Sequence, residues 1–492
     1  MTRGTHQPDS LKTYKHINQK NMKIPFTGLL AACLFTICTM QAQETLTLED
    51  CIEIALAQNF SVQRAEINAQ GESIQYKQSR NALLPRVNAD YNYGVSNGRS
   101  IDPFTNAYVT EQLNFSNAGL SLSATVFNGF RLLNSLKQSR LNKAAAGMEV
   151  EEARQNRMLD VTLNFLQVLN ARELVKLAET RLLTSREQLK RLEKLNEEES
   201  GNPSDFYDLK GQLALDQNAI TEATNSLKNA LEELKFLLNT EAEIQAESLL
   251  LVTEFKNQEL SAEGIYEQAL QNLAAIKSRE IRLEAAEKGV AVARAQYVPE
   301  ISLFANLNTN YSSAARLFEE TGTALLETTD FVSISGTDYN VFTQETRFDS
   351  RGISYSDQFN NNLNSTIGVS VSIPLFNGFR AKNNVQLQKV EQSRAEVALA
   401  ETKRALKQNI TQAYNDWDAA ATSYELLEEQ VAAYEKSFAI NEARFNLGVA
   451  TSVEYITSKN RLDNARINLT NTRYTYLLRD KVLEFYKGRA IR

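Results

Sequence analysis

The chain has 492 residues, a formal net charge of −7, 42% hydrophobic and 23% charged residues, and only 19 Gly and 7 Pro. The apolar share excludes a disordered chain, and the acidic balance argues against a nucleic-acid partner, which calls for a basic face. The scarcity of Gly and Pro predicts long regular elements in place of a string of ordinary small domains.

Residues 24–40 form an apolar run after Lys23 and lead to Gln41-Ala42-Gln43. This reads as a secretory signal within 1–42, with Met22 a candidate start. Cleavage after Ala42 is favoured over a lipoprotein box at Leu30-Ala31-Ala32-Cys33, because the apolar run continues past Cys33. Removal of 1–42 takes away His6, His16, Cys33 and Cys38, and leaves 48 basic and 59 acidic residues. The mature chain then has Cys51 alone and no histidine. An intramolecular disulfide, histidine-dependent catalysis and most zinc chemistry are excluded. No enzyme activity, cofactor or metal site is expected, and Cys51 reads as a buried apolar thiol.

From Thr47 the pattern is helical, opening on a Thr47-x-x-Asp50 capping box and running to Pro85. The period then changes to two. Val87, Ala89, Tyr91, Tyr93 and Val95 predict a strand, a polar loop follows over 96–112, and Leu120, Leu122, Ala124 and Val126 predict a return strand. After Phe127-Asn128-Gly129-Phe130-Arg131, residues 131–200 contain no Pro and only Gly147, which predicts one very long helix. A turn at Gly201-Asn202-Pro203 starts the next helix, with Asn202 as cap and Pro203 first in the helix.

The plan then repeats. Segment 46–85 aligns without gaps onto 260–299, matching Glu49/Glu263, Leu56/Leu270, Arg80/Arg294 and Pro85/Pro299 among others. Ile301, Leu303, Ala305, Leu307 and Thr309 predict a strand, 312–362 a long polar loop, and Ile367, Val369, Val371 and Ile373 the return strand. Phe376-Asn377-Gly378-Phe379-Arg380 repeats the earlier turn, and 381–447 holds neither Pro nor Gly. Leu406, Ile410, Ala413, Trp417, Ala421, Tyr424, Leu427, Val431, Tyr434 and Phe438 step by threes and fours, a packing stripe. The division is a signal at 1–42, a first helix–strand–strand–helix repeat at 43–259 and a second at 260–492.

Four alternating strands fit bilayer-crossing length, but a spanning sheet has to close and four strands are too few. Three copies would give a closed twelve-stranded barrel. Aromatic residues at strand ends (Tyr91, Tyr93, Phe127, Tyr311, Phe376) suit membrane girdles. The fold class is mainly α, with tandem-duplicated long coiled-coil helices and a membrane β-barrel portion. Ser302, Asn306, Asn308, Ser370 and Ser372 are the inward-facing candidates. The competing reading is a secreted or lipid-anchored periplasmic coiled-coil structural protein without a channel.

Signal, tandem repeat, Pro85 and Pro299 at helix-to-strand switches, the two Phe-Asn-Gly-Phe turns, and the opening Leu46-Thr47-Leu48-Glu49-Asp50-Cys51 resemble the TolC-like outer-membrane efflux proteins. The resemblance covers 45–487 and implies a homotrimer in outer-membrane lipid, with a barrel continuing into a periplasmic helical tunnel. It also implies a periplasmic adaptor (membrane fusion) protein and an inner-membrane efflux pump or ABC exporter as partners, and no nucleic acid. By the same resemblance, Gly201, Asn202, Pro203, Gly448 and Val449 would contact the adaptor. Asp205, Tyr207, Asp208 and Glu454 would form the pore constriction, with Tyr207 a candidate plug. Asn202-x-x-Asp205 and Thr451-x-x-Glu454 also read as capping boxes, so their acids have a purely structural explanation as well.

Overall fold

A computed structural model describes residues 46–101, 106, 108–110, 112–198, 202–241, 244 and 260–488. The signal reading for 1–42 lies outside the described residues, as does Gly201. Helix α1 (Leu48–Gln58) opens on the expected capping box: Asp50 N–H donates to Thr47 Oγ1 at 3.2 Å, and Thr47 N–H donates to Asp50 Oδ2 at 2.8 Å. Cys51 is buried, and burial foremost, then Asp50, pushes its thiol up to about 11.

The single helix expected up to Pro85 is two. α1 stops at Asn59, whose backbone is extended (φ −71°, ψ 129°), and α2 (Phe60–Asn81) restarts. Asn59 Oδ1 accepts from Ser61 N–H at 2.9 Å, and Nδ2 donates to the Leu237 carbonyl at 3.0 Å. The second repeat breaks at the aligned position. α5 (Ala262–Asn272) and α6 (Ala274–Arg294) flank Leu273 at φ −73°, ψ 129°. Leucine has no capping oxygen, so Gln155 Oε1 from another helix accepts from Ala274 N–H at 3.3 Å. The break depends on that distant partner, which local periodicity does not register.

Strands β1 (Arg86–Ser96), β4 (Leu113–Phe127), β5 (Glu300–Ser312) and β8 (Asn364–Ser372) form one antiparallel sheet in the order β1-β4-β5-β8. Residues paired across an antiparallel ladder share a face. The row Val87–Leu122–Ala305–Ile367 is apolar, and the next row, Asn88–Ser121–Asn306–Thr366, is polar. The alternation continues, so Ser302, Asn306, Asn308, Ser370 and Ser372 all fall on the polar face. Short strands β2 (Arg99–Ile101) and β3 (Tyr108–Thr110) pair within the 96–112 connection.

The 312–362 segment is not an irregular loop. It contains a long ribbon, β6 (Arg316–Ile334) with β7 (Thr337–Gly352), and a short helix α7 (Tyr355–Asn361). Ser335 (φ 51°) and Gly336 (φ 90°) close the ribbon between the paired residues Ile334 and Thr337, the two positive angles a tight hairpin needs. The signal was the Ser-Gly pair between runs rich in Thr, Val, Phe and Tyr, outweighed by the polar composition. Helix α7 seats on the apolar face of the sheet, at the end remote from the long helices. Thr309 Oγ1 donates to the Phe359 carbonyl at 2.7 Å, and the Tyr355 ring lies 4.8 Å from Tyr311 and 4.4 Å from Phe359.

Beyond each Phe-Asn-Gly-Phe turn runs a 67-residue helix, α3 (Arg131–Glu197) and α8 (Arg380–Asn446), each about 100 Å long. The two turns have one geometry. Gly129 and Gly378 are at φ 63°, Phe130 and Phe379 are left-handed at 63° and 60°, and each phenylalanine pair meets edge to face at 5.5 Å. Leu406, Ile410, Ala413, Trp417 and Val431 are buried, as the stripe on α8 predicts. The return helices are α4 (Pro203–Leu238) and α9 (Ser452–Tyr486).

Candidate functional site

The two helical turns lie side by side at one end of the bundle. Pro203 is the first residue of α4, and Asn202 Oδ1 accepts from Ser204 N–H at 3.1 Å, as the cap reading expects. Gly448, at φ 75°, allows the other turn to reverse. Thr451 and Glu454 form a full capping box on α9, and the Thr451 N–H holds the Glu454 carboxyl below its usual value. Beneath the turns, Leu189, Leu192, Leu209, Phe445, Ala450 and Tyr455 form a core, with Tyr455 stacked 4.8 Å from Phe445. Arg191 of α3 donates to both the side-chain and main-chain oxygens of Asn446, clamping the long helices at their ends.

The Asn202-x-x-Asp205 capping box does not form. Asp205 Oδ1 instead accepts from Ser452 N–H at 3.2 Å, so it caps the N-terminus of α9, the helix of the other turn. Asp208, expected at the pore constriction, is also engaged: Ser452 Oγ donates to its Oδ2 at 2.9 Å. The reason is tertiary, since α9 offers unpaired N–H groups at its start and two carboxylates on α4 lie beside them. Ser452 is buried, while Tyr207 (67% exposed), Val449 (67%) and Glu454 remain accessible. Tyr207 packs its ring edge to face on Phe206 at 5.3 Å.

Further along the helices is an ionic cluster that the pattern reading missed. Asp216 of α4 is fully buried and Lys459 of α9 is 2% exposed. Asp216 accepts from Arg181 Nε at 2.5 Å, Ser185 Oγ at 2.5 Å, Gln212 Nε2 at 2.8 Å and Lys459 Nζ at 3.0 Å. Lys459 also reaches Asp463 at 2.8 Å, so two cations balance two anions across α3, α4 and α9. Burial raises the Asp216 carboxyl, but the Ser185 hydrogen bond and the Lys459 and Arg181 charges outweigh it and hold the group below its usual range. A lysine between Tyr455 and Leu462 on the buried side of a helix was the available hint. Among the described residues, no group of three or more His, Cys, Asp or Glu is placed to hold a metal, and no helix is long and apolar enough to cross a membrane.

Helices and strands share one lateral order. α2 packs on α3, α3 on α6 and α6 on α8, just as β1 pairs with β4, β4 with β5 and β5 with β8. Among the described residues, both rows end in elements with one open side. The end strands β1 and β8 have free edges, α2 exposes Phe60, Ile67 and Ile74, and α8 exposes Leu387, Val390 and Val397. The family model described as outer membrane efflux protein matches residues 51–240 and 265–489. The chain belongs to that family. It is similar to the outer membrane protein TolC of Vibrio cholerae, 22% identical over 81% of this chain and 81% of that one. The alkaline protease secretion protein AprF of Pseudomonas aeruginosa is 23% identical over 83% of this chain and 77% of its own. Among solved structures, the Campylobacter jejuni CmeC outer membrane channel superposes with a TM-score of 0.72, at 17% identity, covering 90% of this chain and 86% of that one. The protein is an outer-membrane channel protein with the fold of that family, four barrel strands per chain joined to the long helices of a periplasmic tunnel.

Proposed function

We propose that this protein is the exit duct of a tripartite efflux or type I secretion system, a passive conduit joined by a periplasmic adaptor to an inner-membrane pump or ABC exporter. The carrying observation is the shared order of strands and helices with free, apolar ends on both. A threefold ring joins β8 to the next copy's β1 and α8 to the next copy's α2, closing barrel and tunnel together. The sheet's apolar face then meets lipid and its polar face lines water. Tyr91, Tyr311, Tyr355 and Phe359 gather at the outer boundary, where aromatic side chains favour the interface. A soluble coiled-coil protein has no use for an apolar sheet face of this extent. The conduit does no bond chemistry, and energy comes from the pump. AprF is named for protease secretion, so export of a polypeptide fits this architecture as well as efflux of small molecules.

Membrane fractionation with amine-reactive cross-linking of native envelopes should find a trimer in the outer membrane; a soluble periplasmic monomer would end this reading. The turns are the adaptor-facing tip in this proposal, with Asn202, Pro203, Gly448 and Val449 the described residues that would meet the adaptor. Asn202→Arg with Val449→Arg should abolish adaptor pull-down while leaving the cross-linked trimer intact. Undiminished pull-down by the double variant would remove the tip from the interface.

A further inference from the structure

The β6–β7 ribbon has no part in the duct as described above. Its register pairs Phe318 with Ser350, Glu320 with Phe348, Leu325 with Gln344, Glu327 with Phe342 and Phe331 with Asn340. Alternate rows point to opposite sides, so Phe318, Leu325, Phe331, Phe342 and Phe348 fall on one face. All five are 56–73% exposed. Towards the foot of the ribbon the other face carries Glu319, Glu345, Arg347, Asp349 and Arg351, with Arg351 paired to Glu319 at 2.7 Å, beside Leu317 and Leu326; towards its tip it carries Val332, Ile334 and Tyr339. Among the described residues, no third strand pairs with the ribbon. An isolated two-stranded ribbon is marginal in water, and exposed apolar side chains recurring along one face, here between Glu320 and Glu327 and the Thr323–Thr346 row, mark a contact surface.

The position of the foot identifies what covers the stripe. β6 starts four residues after β5 ends, and β7 returns through α7 to β8. β8 is an end strand of the sheet, so the ribbon rises beside the seam between copies, within a strand spacing or two of about 4.8 Å each. Twelve strands at that spacing, tilted by about 40°, close a ring roughly 25 Å across, which sets the three feet about 20 Å apart. The ribbon's 15 paired rows span about 50 Å. Each ribbon therefore reaches its neighbours, and tethering to one rim holds the local concentration near the millimolar range. We propose that the phenylalanine faces of the three ribbons converge on the threefold axis and pack on one another outside the membrane, forming a collar over the outer mouth of the barrel. The occupant of each stripe is a second copy of this chain, and the inference rests on the trimeric channel proposed above.

The test uses the full-length protein in intact cells, where Cys51 is buried. Leu325→Cys, Phe342→Cys and Thr346→Cys place a thiol on the phenylalanine face; the last keeps every apolar side chain and guards against loss of the ribbon's fold. Glu345→Cys and Arg347→Cys place it on the charged face. An oxidant should produce disulfide-linked dimers from the first group only, and a bulky maleimide should label the second group at least about fivefold faster. Amine cross-linking of the same cells reports the trimer separately through the periplasmic helices. Intact trimers with no dimers from the first group, or equal dimer yields from the two faces, overturn the collar. So does protection of the phenylalanine face without dimers, which lipid or a foreign protein would give. Absence of the trimer itself overturns the parent reading instead.

Discussion

Asp216→Ala should destabilise each chain by about 3–5 kcal/mol, the range for removing one partner of a buried ion pair. The substitution leaves Lys459, 2% exposed, and Arg181 facing Asp463 alone. Asp216→Asn keeps one acceptor oxygen, for either Ser185 on the Oδ2 side or Gln212 on the Oδ1 side, and should cost less than alanine. Asp216→Leu with Lys459→Met removes one charge of each sign, leaves Arg181 with Asp463 at 3.4 Å, and should recover most of the loss. Guanidinium unfolding of the detergent-solubilised protein, followed by helicity, separates the three; an alanine variant as stable as the parent would show that the cluster contributes nothing. The pH dependence has a definite sign. The Asp216 carboxyl is depressed in the folded chain, so an unfolded aspartate, near 3.9, takes up its proton first as the pH falls. The cluster's stabilisation is complete above about pH 4 and fades below it as the folded value is approached. Asp216→Ala should flatten that acid limb relative to the parent.

Ser452→Ala should raise the single-channel conductance without altering ion preference, because it unties Asp208 from the second turn and changes no charge. Ser452 Oγ and N–H hold Asp208 and Asp205 respectively, the described hydrogen bonds that join α4 to the start of α9 at the tip. Asp208→Asn with Glu454→Gln tests the complementary property. If these carboxylates ring the entrance three times over, cation preference and divalent block should fall severalfold. Tyr207→Ala should widen the opening, since its ring is 67% exposed and packs edge to face on Phe206 at 5.3 Å. Planar-bilayer recordings report all three. Should Ser452→Ala shift selectivity as much as Asp208→Asn with Glu454→Gln, the pin and the charge could not be separate features, and Asp208 would have to be reassigned.

Local chemistry wrote much of this protein directly into its sequence. The Thr47 and Thr451 capping boxes, Pro203 at the first helical position, the glycine turns and the change of period from 3.6 to 2 after Pro85 and Pro299 all act within a few residues. Each therefore reads correctly without the fold, and duplication lets one copy check the other. Strand alternation likewise placed Ser302, Asn306 and Ser370 on the polar face. Tertiary structure decided whatever depends on groups far apart in the chain. The break at Leu273 relies on Gln155, and Asp205 leaves its own helix to cap one 247 residues away. Asp216 meets Lys459 across 243 residues, so neither residue's neighbours reveal that a buried charge will be paired. The β6–β7 ribbon is the intermediate case. Its turn and alternation are local, but both faces are exposed, so no clean apolar stripe set the strand signal above the polar background. Propensity and capping are short-range and sum along the chain; compensation of a buried charge or an orphaned N–H requires only that a partner arrive, from anywhere in the sequence.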